Sequence, residues 1–342
     1  MDERVTRAAM VLIRDYIRMK RGENVLIYAD EGSDASVVQA TVDAVDARGG
    51  NPLEVWYRIK GPPGTEPPAP MEAAMKSADV LVEYARTYLI TTKAFERAMA
   101  AGARHLCLTA MDGDMMIRCI GNVSLPAMKA FGNALLRMTE GAKDVRVTSP
   151  AGTDLQFSIA KRPVLLDTGE CVVPGRDSYL GGQISWAAIE RTIDGTLVLD
   201  GTVWPPDETA PLKDPIRMEL HRGRVASIEG GNSAHVLLNW FKHFRDKRMY
   251  NVAHFCYGFN PGARIAGRIL EDERAFGVFV TGFGSQMASF KGGFTLAKSH
   301  VDGVTRTPTV VVDGEEVERD GKFMHPKLAA LQERLLTQRP ST

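Results

Sequence analysis

Short apolar runs alternate with helical patterns along the first third of the chain, and this rhythm is the strongest constraint on its fold. Apolar residues recur at helical spacing over 6–18, and the run NVLIYA at 24–29 is typical of a buried strand. The pattern continues with a helix at 33–48 and strands at 53–58, 78–84 and 104–109. Such alternation indicates an open parallel sheet, so residues 1–141 are predicted to form a doubly wound α/β domain.

The loops of this domain lack the glycine patterns that bind nucleotide phosphates. No GxGxxG follows the first predicted strand, and no GxxxxGK[ST] occurs in the chain. We therefore expect no nucleotide. His105 lies at the start of a predicted strand, where a packed or hydrogen-bonded histidine is a better interpretation than a catalytic one.

The pattern changes beyond residue 141, where short strands are separated by Gly, Pro and Asp. Predicted strands lie at 145–149, 154–159, 196–199, 217–221 and 224–228. A long amphipathic helix is predicted over 232–248. Residues 142–342 are therefore predicted to form a mixed α+β, strand-rich second domain.

The charge balance and the cysteines limit the partners and the compartment. Lys plus Arg and Asp plus Glu each number 42, so no basic surplus indicates nucleic acid or an anionic membrane as a partner. The four cysteines show no CxxC spacing, and the N-terminal segment has no apolar run of signal or membrane length. We predict a cytoplasmic protein that binds neither nucleic acid nor membrane.

The segment 251–303 contains the residues best suited to chemistry. His300 and Asp302 are separated by one residue, and in a β-strand such side chains point to the same face, with their Cα atoms about 6.6 Å apart. His254 lies in a second strand-like run, 251–257. If the two strands are neighbours, the side chains form the two-histidine, one-carboxylate set of non-haem Fe(II) oxygenases. The alternative is a histidine bonded to a neighbouring strand and an aspartate that caps a turn.

The order of motifs along nearly the whole chain resembles a known group. These motifs are GENVLIYAD, VxSPAGTDLxF, GTLVLDGTV, HRGRVASIEGG, NVAHFCYGFNP and SHVDGV. They are similar to the M29-type metallo-aminopeptidases and, more closely, to the 2,5-dihydroxypyridine 5,6-dioxygenases of nicotinate degradation. The resemblance implies an M29-like fold and an Fe(II) cofactor, with His254, His300 and Asp302 as metal ligands and catalytic residues.

The two groups differ at the metal ligands, and this chain departs from the peptidases. The peptidases typically carry a metal-binding glutamate at the position of His254, and another where this chain has Gln183. A further peptidase histidine has no counterpart in 277–280. The resemblance therefore favours a ring-cleaving dioxygenase over a peptidase with a site for two zinc ions. An M29-type aminopeptidase or other metal-dependent hydrolase is the alternative function.

The same resemblance implies a small aromatic substrate and O₂. The implied substrate is 2,5-dihydroxypyridine or a related hydroxylated aromatic or N-heterocycle, and ring opening between C5 and C6 of the pyridine would give N-formylmaleamate. A histidine expected from some pyridine dioxygenases is missing from 84–92, which leaves related aromatics open. Family habit implies a homo-oligomer.

Five further residues are expected to line the substrate mouth. They are Ser285 and Gln286 in a glycine-rich loop at 281–286, together with Gln183, Trp186 and Glu190. Structural alternatives exist for the loop, for Trp186 and for Glu190: the glycines serve a β-turn, Trp186 packs in a core, and Glu190 is a surface charge.

Overall fold

The computed structural model describes residues 2–58, 65–87, 89–206, 211–292, 296–338 and 340. The α-helices are α1 (Glu3–Val11), α2 (Ala35–Ala47), α3 (Ala69–Ser77), α4 (Lys93–Ala100), α5 (Gly113–Met116), α6 (Leu125–Thr139), α7 (Asn232–His243), α8 (Ile269–Asp272) and α9 (Pro326–Thr337). The strands are β1 (Asn24–Ala29), β2 (Asn51–Trp56), β3 (Val80–Glu83), β4 (Arg104–Cys107), β5 (Asp144–Thr148), β6 (Asp154–Ser158), β7 (Val164–Asp167), β8 (Asp177–Tyr179), β9 (Gln183–Trp186), β10 (Asp194–Leu199), β11 (Val203–Trp204), β12 (Ile216–His221), β13 (Arg224–Glu229), β14 (Val252–Gly258), β15 (Val278–Gly284), β16 (His300–Arg306), β17 (Thr309–Val312) and β18 (Glu315–Glu318). Within these residues, every helix is too short or too polar to span a bilayer.

The first compact unit is built on a parallel sheet, as the alternating pattern predicts. The strand order is β2-β1-β3-β4-β8, and each neighbouring pair is parallel. Every residue of β1 after Asn24 is buried, so both faces of this strand are covered. On one face Leu26 and Leu81 pack with Met75 of α3 and Phe95 of α4.

The chain passes between its two compact units more than once. The first unit contains 2–125 and 167–181, and the second contains 126–166 and 182–338. The predicted ranges 1–141 and 142–342 follow chain order, whereas α6 belongs to the second unit and β8 extends the first sheet. A three-residue strand such as β8 is too short to produce a periodic pattern in the sequence.

The second unit consists mainly of two antiparallel sheets. The order of one is β13-β12-β10-β6-β5-β17-β18, and that of the other is β11-β16-β15-β14-β9-β7. Phe157 of β6 and Phe255 of β14 stack with their ring centroids 4.2 Å apart, which joins the sheets face to face. Because side chains alternate along a strand, His254 and Cys256 point away from this core.

Helix α7 is shorter than its amphipathic pattern predicts. It ends at His243 rather than at residue 248. Arg245 has a φ of +49°, a left-handed conformation that an α-helix cannot continue through, and a 3₁₀ turn follows at Lys247–Tyr250. This turn leads directly into β14.

His105 of β4 lies in a buried polar network of the first unit, which agrees with the structural interpretation of this residue. Its Nδ1 lies 2.6 Å from Asp177 Oδ1, and its Nε2 lies 3.2 Å from the Tyr28 hydroxyl and 3.3 Å from Glu83 Oε2. Burial acts to lower the pKa of His105. Hydrogen bonds and charges of Asp177 and Glu83 outweigh burial and raise that pKa to about 9.

This network predicts a pH dependence of stability. The pKa of His105 is higher in the folded chain than its unfolded value of about 6.5. Protonated His105 therefore contributes its full stabilisation to the free energy of unfolding below about pH 6.5. That contribution is lost as the pH rises through about 9, a change on the order of 3 kcal/mol. We expect His105→Gln to reduce the pH dependence of the free energy of unfolding between about pH 6.5 and pH 9, as measured by urea denaturation. If the free energy of unfolding changed equally with pH in the variant and in the wild type, His105 would not be the group responsible.

Candidate metal centre

Three neighbouring strands bring His254, His300 and Asp302 to one face of a sheet. His254 of β14 lies opposite Gly282 of β15, and Gly282 lies opposite Asp302 of β16. His300 precedes Asp302 by two residues and therefore shares its face. The strands of His254 and His300 are not direct neighbours, because β15 lies between them, yet the three side chains still meet.

The ligand atoms of the three residues form a nearly equilateral triangle. Nε2 of His254 lies 3.0 Å from Nε2 of His300 and 3.1 Å from Oδ1 of Asp302, and the third side is 3.2 Å. Within the described ranges, these residues form the group of His, Cys, Asp and Glu side chains that could hold a metal ion. The side chains of His254 and Asp302 are 10% and 14% exposed, whereas that of His300 is 32% exposed, so the centre opens to solvent beside His300.

The hydrogen bonds behind the imidazoles bear on which ring nitrogens could bind a metal. Nδ1 of His300 lies 2.7 Å from the Ser285 carbonyl oxygen, which can only accept, so Nδ1 carries a proton and Nε2 is the nitrogen that could bind a metal. Nδ1 of His254 lies 3.2 Å from Cys256 Sγ. Two neutral imidazole nitrogens and a carboxylate in such proximity would repel one another unless a proton or a metal ion lay between them.

The spacing of these three ligand atoms fits a divalent first-row transition-metal ion. Ligand atoms at adjacent corners of an octahedron, about 2.1 Å from the ion, are about 3.0 Å from one another. The sides of the triangle are 3.0, 3.1 and 3.2 Å. The residues present therefore fit a metal bound through one triangular face, which leaves its opposite side for other ligands.

Electrostatics favour a cation in the triangle. Burial acts to lower the pKa of His300, but the Asp302 carboxylate, the Ser285 carbonyl and the charge of Glu273 together raise it. Burial acts to raise the pKa of Asp302, but His300 and His254 hold it well below its usual range. Asp302 is therefore ionised and supplies negative charge to the centre.

Gly282 leaves the space that the imidazole of His254 occupies. A Cβ at this position would lie 2.3 Å from Nε2 and 2.4 Å from Cδ2 of His254, far inside van der Waals contact. The sequence-based interpretation of 281–286 as a loop is wrong for its first part, because β15 extends to Gly284. The glycine at 282 serves clearance across a sheet rather than a turn.

A β-bulge in β14 sets the register that places His254 over Gly282. Val252 lies opposite Phe283, so a regular ladder would put His254 opposite Thr281, whose side chain would occupy that space. The bulge at Ala253 moves the register by one residue. Gln286 donates a hydrogen bond from Nε2 to the Ala253 carbonyl oxygen over 2.7 Å, which gives this carbonyl a partner.

The segment 285–290 lies beside the triangle. Ser285 bonds His300 through its carbonyl, and its hydroxyl donates to the Ala297 carbonyl over 2.7 Å. The Phe290 ring stacks on His254 with 5.5 Å between ring centroids. Ser285 and Gln286 are among the residues predicted from the sequence, whereas Phe290 is not, because the sequence gives no signal for it.

The remaining predicted substrate residues lie at different places. Gln183 shares the face of His254, and its Nε2 donates to Glu273 Oε2 over 3.2 Å. Trp186 is fully buried against Tyr257, on the opposite face of the sheet, so the structure does not bring it to the triangle. Glu190 accepts a hydrogen bond from Nη2 of Arg162 over 2.9 Å.

Comparison with known proteins gives one consistent result. The sequence model of the family described as NicX, 2,5-dihydroxypyridine 5,6-dioxygenase, matches residues 15–325. A relative from Pseudomonas putida KT2440 named 2,5-dihydroxypyridine 5,6-dioxygenase is 25% identical over 269 residues, which cover 75% of this chain and 74% of that protein.

Solved structures confirm the fold that the motifs imply. The 2,5-dihydroxypyridine dioxygenase of P. putida KT2440 aligns with a TM-score of 0.76 and 20% identity, covering 95% of this chain and 98% of that one. AmpT from Thermus thermophilus aligns with a TM-score of 0.66 and 13% identity, covering 94% and 99%. The chain therefore has the fold shared by these two proteins.

The clearance at Gly282 predicts the effect of one methyl group. We expect Gly282→Ala to abolish metal retention as completely as Asp302→Ala, because the new Cβ displaces the His254 imidazole. Thr281→Val, an isosteric change in the same strand, should retain the metal. Metal content of the purified variants is the measurement, with circular dichroism to show that each is folded. Full metal content in Gly282→Ala would contradict the geometry.

Proposed function

Because this chain belongs to the 2,5-dihydroxypyridine 5,6-dioxygenase family, we propose that it is a non-haem Fe(II) enzyme that cleaves a hydroxylated pyridine ring with O₂. The substrate is 2,5-dihydroxypyridine or a close relative, and the product from the dihydroxypyridine is N-formylmaleamate. The triangle of two imidazole nitrogens and one carboxylate oxygen is the single observation that carries this proposal. Balanced charge and four buried cysteines support a cytoplasmic enzyme, and its family supports a homo-oligomer.

The donor set supports iron as the metal. His254, His300 and Asp302 would hold the ion through one face, an arrangement used by non-haem Fe(II) oxygenases. A bound ferrous ion supplies the redox chemistry that allows O₂ to react with an electron-rich ring. The Ser285 carbonyl holds a proton on Nδ1 of His300, and Phe290 shields the face of His254 from water.

Gln286 is proposed to orient the substrate. This side chain is 4% exposed, and its Nε2 is used by the Ala253 carbonyl, which fixes the direction of the amide. Its Oε1 is buried and has no hydrogen-bond partner within the described part of the chain. A buried acceptor of this kind favours a ligand with an N–H or O–H donor, such as a hydroxypyridine. Ser285 is proposed to contribute through its backbone, since its hydroxyl is used by Ala297.

The aminopeptidase alternative has less support. Gln183 stands where the resemblance implies a peptidase glutamate, and its amide donates to Glu273 rather than offering a charged ligand. Arg274, which is 2% exposed, pairs with the same Glu273. A carboxylate neutralised by a buried guanidinium is a poor ligand for a second cation.

Oxygen uptake with different metals tests the proposal. Protein loaded anaerobically with Fe(II) should consume O₂ when 2,5-dihydroxypyridine is added, and the uptake should stop in the Asp302→Ala variant. Zinc-loaded protein should stay at the background rate, because Zn(II) is redox-silent. Full uptake by zinc-loaded, iron-free protein would refute the mechanism. Zinc-dependent hydrolysis of a leucine anilide would support the peptidase alternative.

The role of Gln286 predicts a separate effect on substrate affinity. We expect Gln286→Met to raise the KM for 2,5-dihydroxypyridine about tenfold, the value of one buried hydrogen bond of about 1.4 kcal/mol. Because the change also removes the bond to Ala253, rates should be expressed per bound iron. An unchanged KM in iron-loaded Gln286→Met would exclude contact between Gln286 and the substrate.

A further inference from the structure

Cys256 occupies an unusual position behind a metal ligand. It follows His254 by two residues in β14 and therefore shares its face, and it is fully buried. Its Sγ lies 3.2 Å from Nδ1 of His254, which is hydrogen-bond distance when sulfur is a partner. The other ring nitrogen of His254 belongs to the triangle of ligand atoms.

An imidazole that binds a metal through Nε2 must carry its proton on Nδ1. A partner for that N–H fixes the tautomer and the ring orientation, and proteins commonly use a carboxylate or a backbone carbonyl for this purpose. His300 has such a partner in the Ser285 carbonyl at 2.7 Å. At His254 the atom in the corresponding place is a sulfur, which is a weaker acceptor.

We infer that Cys256 is a positioning residue for the metal centre. Its sulfur accepts a hydrogen bond from the Nδ1–H group of His254 and keeps Nε2 of that imidazole directed at the ion. This inference rests on the metal centre of the proposed function. Phe290 limits rotation of the ring from its stacked side, and Gly282 leaves the space above the sheet. Cys256 supplies the remaining constraint, which is the tautomer.

A packing role is the competing explanation for Cys256. The residue also contacts an apolar cluster formed by Ala275, Val278, Val280 and Val304. A core thiol of this kind would be replaceable by any small side chain at a cost in stability alone. Serine and alanine distinguish the two explanations, because they leave similar cavities but only serine offers an acceptor to Nδ1.

The test compares Cys256→Ser with Cys256→Ala. We expect alanine to weaken Fe(II) binding 10-fold to 100-fold, the usual loss when a partner behind a ligand is removed, and serine to stay within about threefold of the wild type. Affinity is measured anaerobically by competition with a chelator. The visible d–d absorption of the Co(II)-loaded protein is a second readout, which should shift in Cys256→Ala and stay close to the wild type in Cys256→Ser.

Two further variants serve as controls. Cys171→Ala removes another buried cysteine, in the first compact unit, and should change neither the affinity nor the Co(II) spectrum. If Cys256→Ala does not fold, Cys256→Val fills the space without an acceptor and should show the same loss.

The outcomes separate this inference from the proposed function. Equal affinities and spectra for the alanine variant and the wild type would overturn the role of Cys256, and so would equal losses in the alanine and serine variants. Suppose that the wild type binds Co(II), that Cys256→Ser binds metal nearly as tightly and Cys256→Ala more weakly, but that the iron-loaded wild type consumes no O₂. This result would support the role of Cys256 and contradict the dioxygenase proposal. A wild-type chain that binds neither Co(II) nor Fe(II) would refute both.

Discussion

The candidate metal centre depends on the missing side chain at Gly282. β14 and β16 are separated by β15, so their backbones are about 9.6 Å apart, twice the spacing of neighbouring strands. The imidazole of His254 spans this gap by lying over β15 and meeting Asp302 on the far side. Any Cβ at position 282 would occupy the path of the ring. The bulge at Ala253 places His254 opposite Gly282, and the hydrogen bond from the Gln286 amide satisfies the Ala253 carbonyl in this bulge.

Local patterns in the sequence predicted the parts of the centre that depend on one strand. The spacing of His300 and Asp302 places both on one face whatever the neighbouring strand is. The relation of His254 to this pair is non-local, because it depends on a register that includes one bulge and an intervening strand. The M29-like resemblance supplied this pairing, since periodicity alone could not. Phe290 and Cys256 carry no pattern of their own and became visible only as neighbours of His254.

The fold was predictable to a similar extent, for similar reasons. Alternating helices and buried strands indicate a parallel sheet because each element repeats a local period. The return of 167–181 to that sheet was not predictable, because β8 is short and its pairing with β4 joins residues far apart in sequence. Helix α7 ended early for a conformational reason, the left-handed backbone at Arg245, which its apolar pattern does not reveal.

The donor set also has a consequence for how the proposed enzyme would acquire its metal. Two imidazole nitrogens and one carboxylate oxygen follow the general order of affinities among divalent ions, in which Zn²⁺ and Cu²⁺ bind more tightly than Fe²⁺. The positions of these donors are fixed by hydrogen-bonded strands, so the centre has little freedom to reshape itself around a preferred ion. If the protein is the Fe(II) enzyme proposed above, its occupancy by iron would therefore depend on the relative supply of free metals in the cell rather than on selection at the centre itself.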